Sequence, residues 1–269
     1  LKVTGFAALE EGDNHNYWAT PIEYYVKGDA NKAGLSTSRS FNQLYEATVD
    51  YTGQWNGHSL ALVGGTSYQN FWYDGHDLSN GGFATNNSKY FDIGAGAVDK
   101  EDMSVSSYRN SNTLVAYFLR ANYNYNEKYL LSASIRAEGS SRMGANHKWG
   151  WFPAVSAGWR ISGEDFMRDA KGVDDLKLRF GFGITGNNLG SDLKSVELLT
   201  KGGTFNSHGT EKYAFTVNQN ANPDLRWERK FEYNLGIDYA FLNNRLYGTL
   251  DLYYRNTKDL LWEYKVPTP

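Results

Sequence analysis

Residues 227–255 read WERKFEYNLGIDYAFLNNRLYGTLDLYYR, and two alternating stretches in them decide the fold. From Trp227, the residues Phe231, Tyr233, Leu235, Ile237, Tyr239 and Phe241 fall on one face, interrupted only by Arg229. Glu228, Lys230, Glu232, Asn234 and Asp238 fall on the other. After Leu242–Asn244 the period continues: Leu246, Gly248, Leu250, Leu252 and Tyr254 alternate with Arg245, Tyr247, Thr249, Asp251, Tyr253 and Arg255. Period two with one apolar and one charged face predicts two antiparallel strands joined by a tight turn.

The pattern repeats toward the N-terminus. It predicts strands over 41–51, 113–125, 129–138, 151–161 and 176–185, with weaker candidates at 1–9 and 58–72, about nine in all. Each is near the length that a tilted membrane strand needs. The connections fall into two classes. Gly53–Gly57, Asn126–Lys128 and Leu242–Asn244 are short, whereas about 10–40, 73–112 and 187–226 are long and polar. Segment 139–149 is a shorter loop on the long side, and Glu164–Arg168 in the 162–175 connection has the spacing of a helical turn. Short connections on one side and long ones on the other are the signature of an outer-membrane barrel. The expected fold is therefore all-β, a transmembrane antiparallel up-and-down β-barrel segment. A soluble β-sandwich would also alternate, but would not place Tyr and Trp so regularly near strand ends.

Composition agrees. The 269 residues hold 20 Tyr, 14 Phe, 8 Trp and 28 Gly against 5 Pro, an aromatic and glycine mix that favours strands. A net charge of −3 offers nucleic acid no electrostatic attraction. The absence of Cys excludes disulfides and thiolate metal sites. Mean hydropathy is −0.59, as expected where each strand is apolar on one side only.

Three stretches resemble the SusC/RagA family of TonB-linked outer-membrane proteins. They are YLLSASIRAEGSSRMGANHKWGWFPAVSAGWRISGEDFM from Tyr129, LKLRFGFGITGNN from Leu176, and NPDLRWERKFEYNLGIDYAFLNNRLYGTLDLYYRNTKDLL from Asn222. The resemblance implies a large plugged barrel in the bacterial outer membrane. It implies import of glycans or peptides, energy from the TonB complex through an N-terminal region, and a SusD-like surface lipoprotein as partner. On this reading residues 1–269 are part of the barrel domain, with the plug and remaining strands outside them, since about nine strands fall short of the roughly 22 of plugged transporters. A passive porin or adhesin barrel is the alternative. The resemblance argues against an enzyme.

Other motifs point to structure. Gly181-Phe182-Gly183-Ile184-Thr185-Gly186 matches G-x-G-x-x-G, but its first two glycines sit on the polar face of a strand and no helical period follows. His15, His58, His76, His147 and His208 are scattered, so no zinc site and no other cofactor is expected. Asp74, Asp77 and Asn80 crowd a glycine-rich loop without the charge density of a calcium site. There is no Gly-x-Ser-x-Gly elbow beside Gly139-Ser140-Ser141. Lys177, Arg179, Glu232 and Asp251 read as a hydrated lumen wall or plug contact. Trp18, Trp72 and Tyr73 are the candidate substrate-binding residues, because an aromatic face can stack on a sugar ring. A belt at the lipid headgroups is the competing role for Trp72 and Tyr73.

Overall fold

The computed structural model describes residues 1–21, 31–96, 103–188 and 192–262. Parts of the three long connections, 22–30, 97–102 and 189–191, lie outside the described residues. Among the described residues eleven strands follow in chain order: β1 (Lys2–Thr20), β2 (Lys32–Trp55), β3 (His58–Gly81), β4 (Ser104–Tyr125), β5 (Tyr129–Ser140), β6 (Trp149–Arg160), β7 (Val173–Asn187), β8 (Leu198–Ser207), β9 (Thr210–Gln219), β10 (Glu228–Phe241) and β11 (Leu246–Lys258). Nine form one sheet in the order β1-β2-β3-β4-β5-β6-β7-β10-β11, and β8 and β9 form a separate hairpin. The chain divides into two units: Leu1–Phe6, Tyr45–Tyr68 and Thr113–Pro269 form one, and Ala7–Leu44 and Gln69–Asn112 the other.

All nine strands expected from alternation are present, but the first four run much further. Residues 10–20, 32–40, 73–81 and 104–112 are strand, not loop. Hydrophobic alternation disappears there because both faces are polar, as in SVSSYRNSN from Ser104, while the backbone ladder continues. The third long connection also carries structure, the β8–β9 hairpin. The Glu164–Arg168 segment holds a short 3₁₀ turn, Asp165–Met167, and another, Ile161–Gly163, precedes it.

Three turns on the short side use left-handed backbone. Asn56 and Gly57 have φ of 43° and 80°, Asn126 and Glu127 of 51° and 57°, and Leu242, Asn243 and Asn244 of 58°, 57° and 59°. Mirror-image turns match the right-handed twist of the strands they join. Gly57 is tied into its neighbour, because the Asn126 amide donates to the Gly57 carbonyl at 2.7 Å.

Register in the larger unit sets the two faces. Leu131, Ala157, Phe180, Leu235 and Leu252 lie directly opposite one another from β5 to β11, and so do Leu119, Ile135 and Pro153 from β4 to β6. The intervening rows are polar or small, such as Asn122, Ser132, Ser156, Gly181 and Asn234. Arg136 lies in a row with Phe118 and Phe152, one residue out of step with the apolar rows. Strands of opposite direction share side-chain faces across a row, so one surface is apolar and the other mainly polar, with Phe118, Leu130 and Phe152 among its polar and small residues. A buried apolar cluster of Met143, Phe152 and Trp227 forms where β6–β7 pairing stops at Ala154–Gly183.

Candidate functional site: a polar wall behind an aromatic-girdled face

On the apolar face, aromatic residues gather at two levels. Tyr117 and Trp151 lie in the row of Ala137, and Tyr129 lies opposite Trp159. Tyr117–Tyr125 and Trp151–Trp159 are each eight residues apart, which is about 26 Å along a strand and about 20 Å of height at a barrel's usual tilt. Leu119, Ile135 and Leu235 fill the band between them, all more than 40 % exposed. This matches the lipid-facing band and girdles of a membrane barrel.

The girdle of Tyr129 and Trp159, at the end with the short turns, is held by polar contacts. Glu164 accepts hydrogen bonds from the Tyr129 hydroxyl at 2.6 Å, the Trp159 Nε1 at 3.0 Å and the Lys128 Nζ at 3.3 Å. These donors, led by Tyr129, hold the Glu164 carboxyl below the ordinary glutamate range. His58 Nδ1 is 2.7 Å from the Tyr123 hydroxyl, within a ring stack that includes Trp55 and Tyr125.

The opposite face is a polar wall. Arg179 donates to Asp238 through Nε at 2.8 Å and Nη2 at 2.9 Å, and reaches Asp251 at 3.2 Å. Asp238 also accepts from Thr249 at 3.1 Å, and Arg255 grips Glu232 at 2.9 and 3.2 Å. Arg179, Gly236 and Asp251 lie in one row. A Cβ at Gly236 would stand 2.6 Å from the Asp251 carboxylate and 2.8 Å from the Arg179 guanidinium, so the missing side chain is what lets Arg179 reach across β10. A depression of about 480 Å³ opens beside this ladder, lined among others by Asn122, Ser132, Ser156, Lys177, Arg179 and Asn234. It offers donors and acceptors to a hydrated solute or a protein surface. Its neighbouring carboxylates, Asp238 and Asp251, are both engaged by Arg179, which suits a wall better than acid–base chemistry.

The glycine motif at 181–186 lies wholly within β7. Cβ atoms at Gly181 and Gly183 would meet only ordinary contacts, whereas one at Gly186 would collide with the Phe152 ring. Two of the glycines keep the wall low and the third seats the apolar cluster. Asp74 and Asp77 lie in β3 at positions of opposite parity and do not converge. Among the described residues no group of three or more His, Asp or Glu could hold a metal.

The three aromatic candidates lie in the smaller unit. Trp72 and Tyr73 are consecutive in β3 rather than at its end, and so point to opposite faces. Trp72 shares its side with Phe41, 5.6 Å between ring centres, and with the guanidiniums of Arg39 and Arg109 at 5.8 and 5.2 Å. Tyr73 packs on Tyr108 at 5.2 Å. Trp18 is 41 % exposed and lies over Gly34. The fold therefore does not gather these residues into one site. Sequence reading missed Gly236 and Glu164, whose roles depend on cross-strand and turn geometry.

Residues 4–263 match the family described as TonB dependent receptor-like, β-barrel, and the chain belongs to that family. Its place is the bacterial outer membrane. It is 32 % identical over 237 residues to the TonB-dependent receptor SusC of Bacteroides thetaiotaomicron, covering 87 % of this chain and 23 % of that protein. It is 37 % identical over 218 residues to the TonB-dependent receptor P39 of Formosa agariphila, covering 79 % and 20 %. The SusC/RagA-like resemblance read from the sequence is thus upheld. Among solved structures, the RagAB peptide transporter superposes with a TM-score of 0.85 at 22 % identity, over 98 % of this chain and 29 % of that one, a likeness of fold. The chain spans about a quarter of the length of the curated relatives it matches.

Proposed function

We propose that this chain supplies part of the wall and surface loops of a larger outer-membrane barrel that imports glycans or peptides with energy from TonB. The observation that carries the reading is the polar wall from β4 to β11 behind a girdled apolar face, in a chain whose residues 4–263 match the receptor barrel family. Residues 1–269 belong to one partial barrel domain. In support, β1 and β11 are the two edges of the nine-stranded sheet. An open edge leaves backbone groups without partners in hydrocarbon, so further strands must close it. A barrel of roughly 22 strands is wide enough to leak unless plugged, and moving a plug takes work from the inner membrane. A SusD-like surface lipoprotein seats on the long-connection side, where β1–β4 extend far past the membrane span. Trp18, Trp72 and Tyr73 offer aromatic surfaces to substrate, Trp18 being the most open to a sugar ring. The chain acts in transport, not as an enzyme.

The test is uptake and pull-down with the whole protein in its native membrane. Loss of uptake on deleting TonB, with co-purification of a surface lipoprotein, is expected. Uptake that survives TonB loss, with no lipoprotein recovered, would replace this reading with a passive porin or adhesin.

A further inference from the structure

Two glycines in the smaller unit each have an aromatic ring laid across them. A Cβ at Gly75 in β3 would stand 2.5 Å from the Tyr108 hydroxyl oxygen and 2.7 Å from its Cζ, and one at Gly34 in β2 would stand 2.6 Å from the Trp18 ring. A residue without a side chain lets a ring lie down on the sheet. A ring so laid keeps one face on the backbone and turns the other away from the sheet. Both rings are open, Tyr108 at 37 % and Trp18 at 41 % exposed.

Contacts sort the strands of this unit into two faces. Arg39, Phe41, Trp72 and Arg109 meet on one. On the other, Tyr108 packs on Tyr73 and hydrogen-bonds Ser38, Ser106 donates to Asp77 at 3.4 Å, and Gln69 donates to Asn42 at 3.0 Å. Gly34 has the parity of Ser38 and Asn42 in β2, and Tyr108 has that of Asn122 in β4, a member of a polar row. Both laid-down rings therefore belong to the polar face. Hydroxyls, amides and a carboxylate surround them there, while the two guanidiniums stand on the opposite face.

We propose that Tyr108 and Trp18, laid over Gly75 and Gly34, are stacking platforms for uncharged sugar rings of the substrate. The C–H face of a sugar rests on each open ring face. Around Tyr108 the sugar hydroxyls exchange hydrogen bonds with Ser38, Ser106 and Asp77. The Asp77 carboxylate only accepts, so it favours a ligand rich in hydroxyl donors and repels an anionic one. A peptide would bring charged termini for which this frame of hydroxyls and amides is a poorer match. The inference rests on the import reading and narrows its substrate class to neutral glycans.

The experiment is calorimetric titration of the whole protein, purified in detergent, which needs no TonB. The probes are neutral hexasaccharides of glucose, mannose, galactose and xylose, a glucuronate hexasaccharide, and a hexapeptide. A neutral hexasaccharide is expected to bind more tightly than the glucuronate one and the peptide. Tyr108→Ala weakens it by about tenfold, the loss of one stacking face, whereas Tyr108→Phe keeps the ring and stays within about threefold. Gly75→Ala touches no ligand atom but lifts the Tyr108 ring, so it weakens binding as Tyr108→Ala does, and the double variant loses no more than either single one. Tyr108 is exposed, so the comparison of its two variants decides the matter if Gly75→Ala does not fold. No binding of any neutral hexasaccharide, preference for the glucuronate probe or the peptide, or equal effects of Tyr108→Ala and Tyr108→Phe overturns the platforms. Such a result with TonB-dependent uptake intact removes this inference alone; binding without TonB-dependent uptake removes only the import reading.

Discussion

Single side chains at the turns carry effects that alternation does not announce. Glu164 has a lowered pKa because Tyr129, Trp159 and Lys128 all donate to it. A depressed carboxyl contributes stability that is fully present above its unfolded value, about 4.3, and is lost as pH falls through the folded value. Tyr129→Phe removes the leading donor, so the Glu164 titration midpoint rises toward the ordinary range and the acid-side loss of stability shrinks. Carboxyl NMR titration reads it directly, and an unmoved midpoint would show that Tyr129 is not the cause. Glu127 presents a second residue-scale case. It holds φ at 57° without being Gly or Asn, a conformation costing a residue with a Cβ roughly 1–2 kcal/mol. Glu127→Gly is expected to stabilise the protein by about 0.5–1 kcal/mol, measured as a higher urea midpoint after refolding into lipid. A lower midpoint would mean that the Glu127 side chain has a role of its own.

Strands are where face assignment becomes measurable. Ile135 sits in the apolar row with Leu119 and Pro153, between the two girdles, while Ser132 sits in the polar row with Asn122 and Ser156. Ile135→Lys should cost about 2–4 kcal/mol near mid-height in the bilayer. Ser132→Lys, three positions away, should stay within about 0.5 kcal/mol. Equal penalties in lipid-vesicle unfolding would mean the register is off by one residue, since a single slip exchanges every side chain between faces. The same alternation explains what was legible. The strands show clearly over the bilayer span, where one face meets lipid and the other water. It fades at 10–20, 32–40, 73–81 and 104–112, where water bathes both faces but backbone pairing persists.

For the whole molecule, strand order makes a topological prediction. The turns at Asn56, Glu127 and Asn243 lie at one end of the sheet, and the connections holding Asn146 and His208 at the other. The chain has no Cys, so a single introduced cysteine reports one place. An impermeant maleimide on intact cells should label Asn146→Cys and His208→Cys and leave Asn56→Cys, Glu127→Cys and Asn243→Cys unlabelled until the outer membrane is opened. Equal labelling of both sets would sink the topology and, with it, the placement of the lipoprotein seat on the long connections.

The amino-acid order by itself determined the all-β class, the nine sheet strands, which residues share the apolar rows and the position of the tight turns. These are local properties, written in period two and in Gly and Asn at turns. Tertiary structure decided how far β1–β4 extend and that residues 198–219 fold back as a hairpin. It decided that Gly236 opens the path from Arg179 to Asp251 and that Asn31 is buried with an unmet acceptor. It also set Trp72 and Tyr73 on opposite faces with different neighbours. Each of these depends on which residues lie opposite one another across strands far apart in sequence. A hydrogen-bonded ladder has no preference for one residue type that would reveal its register.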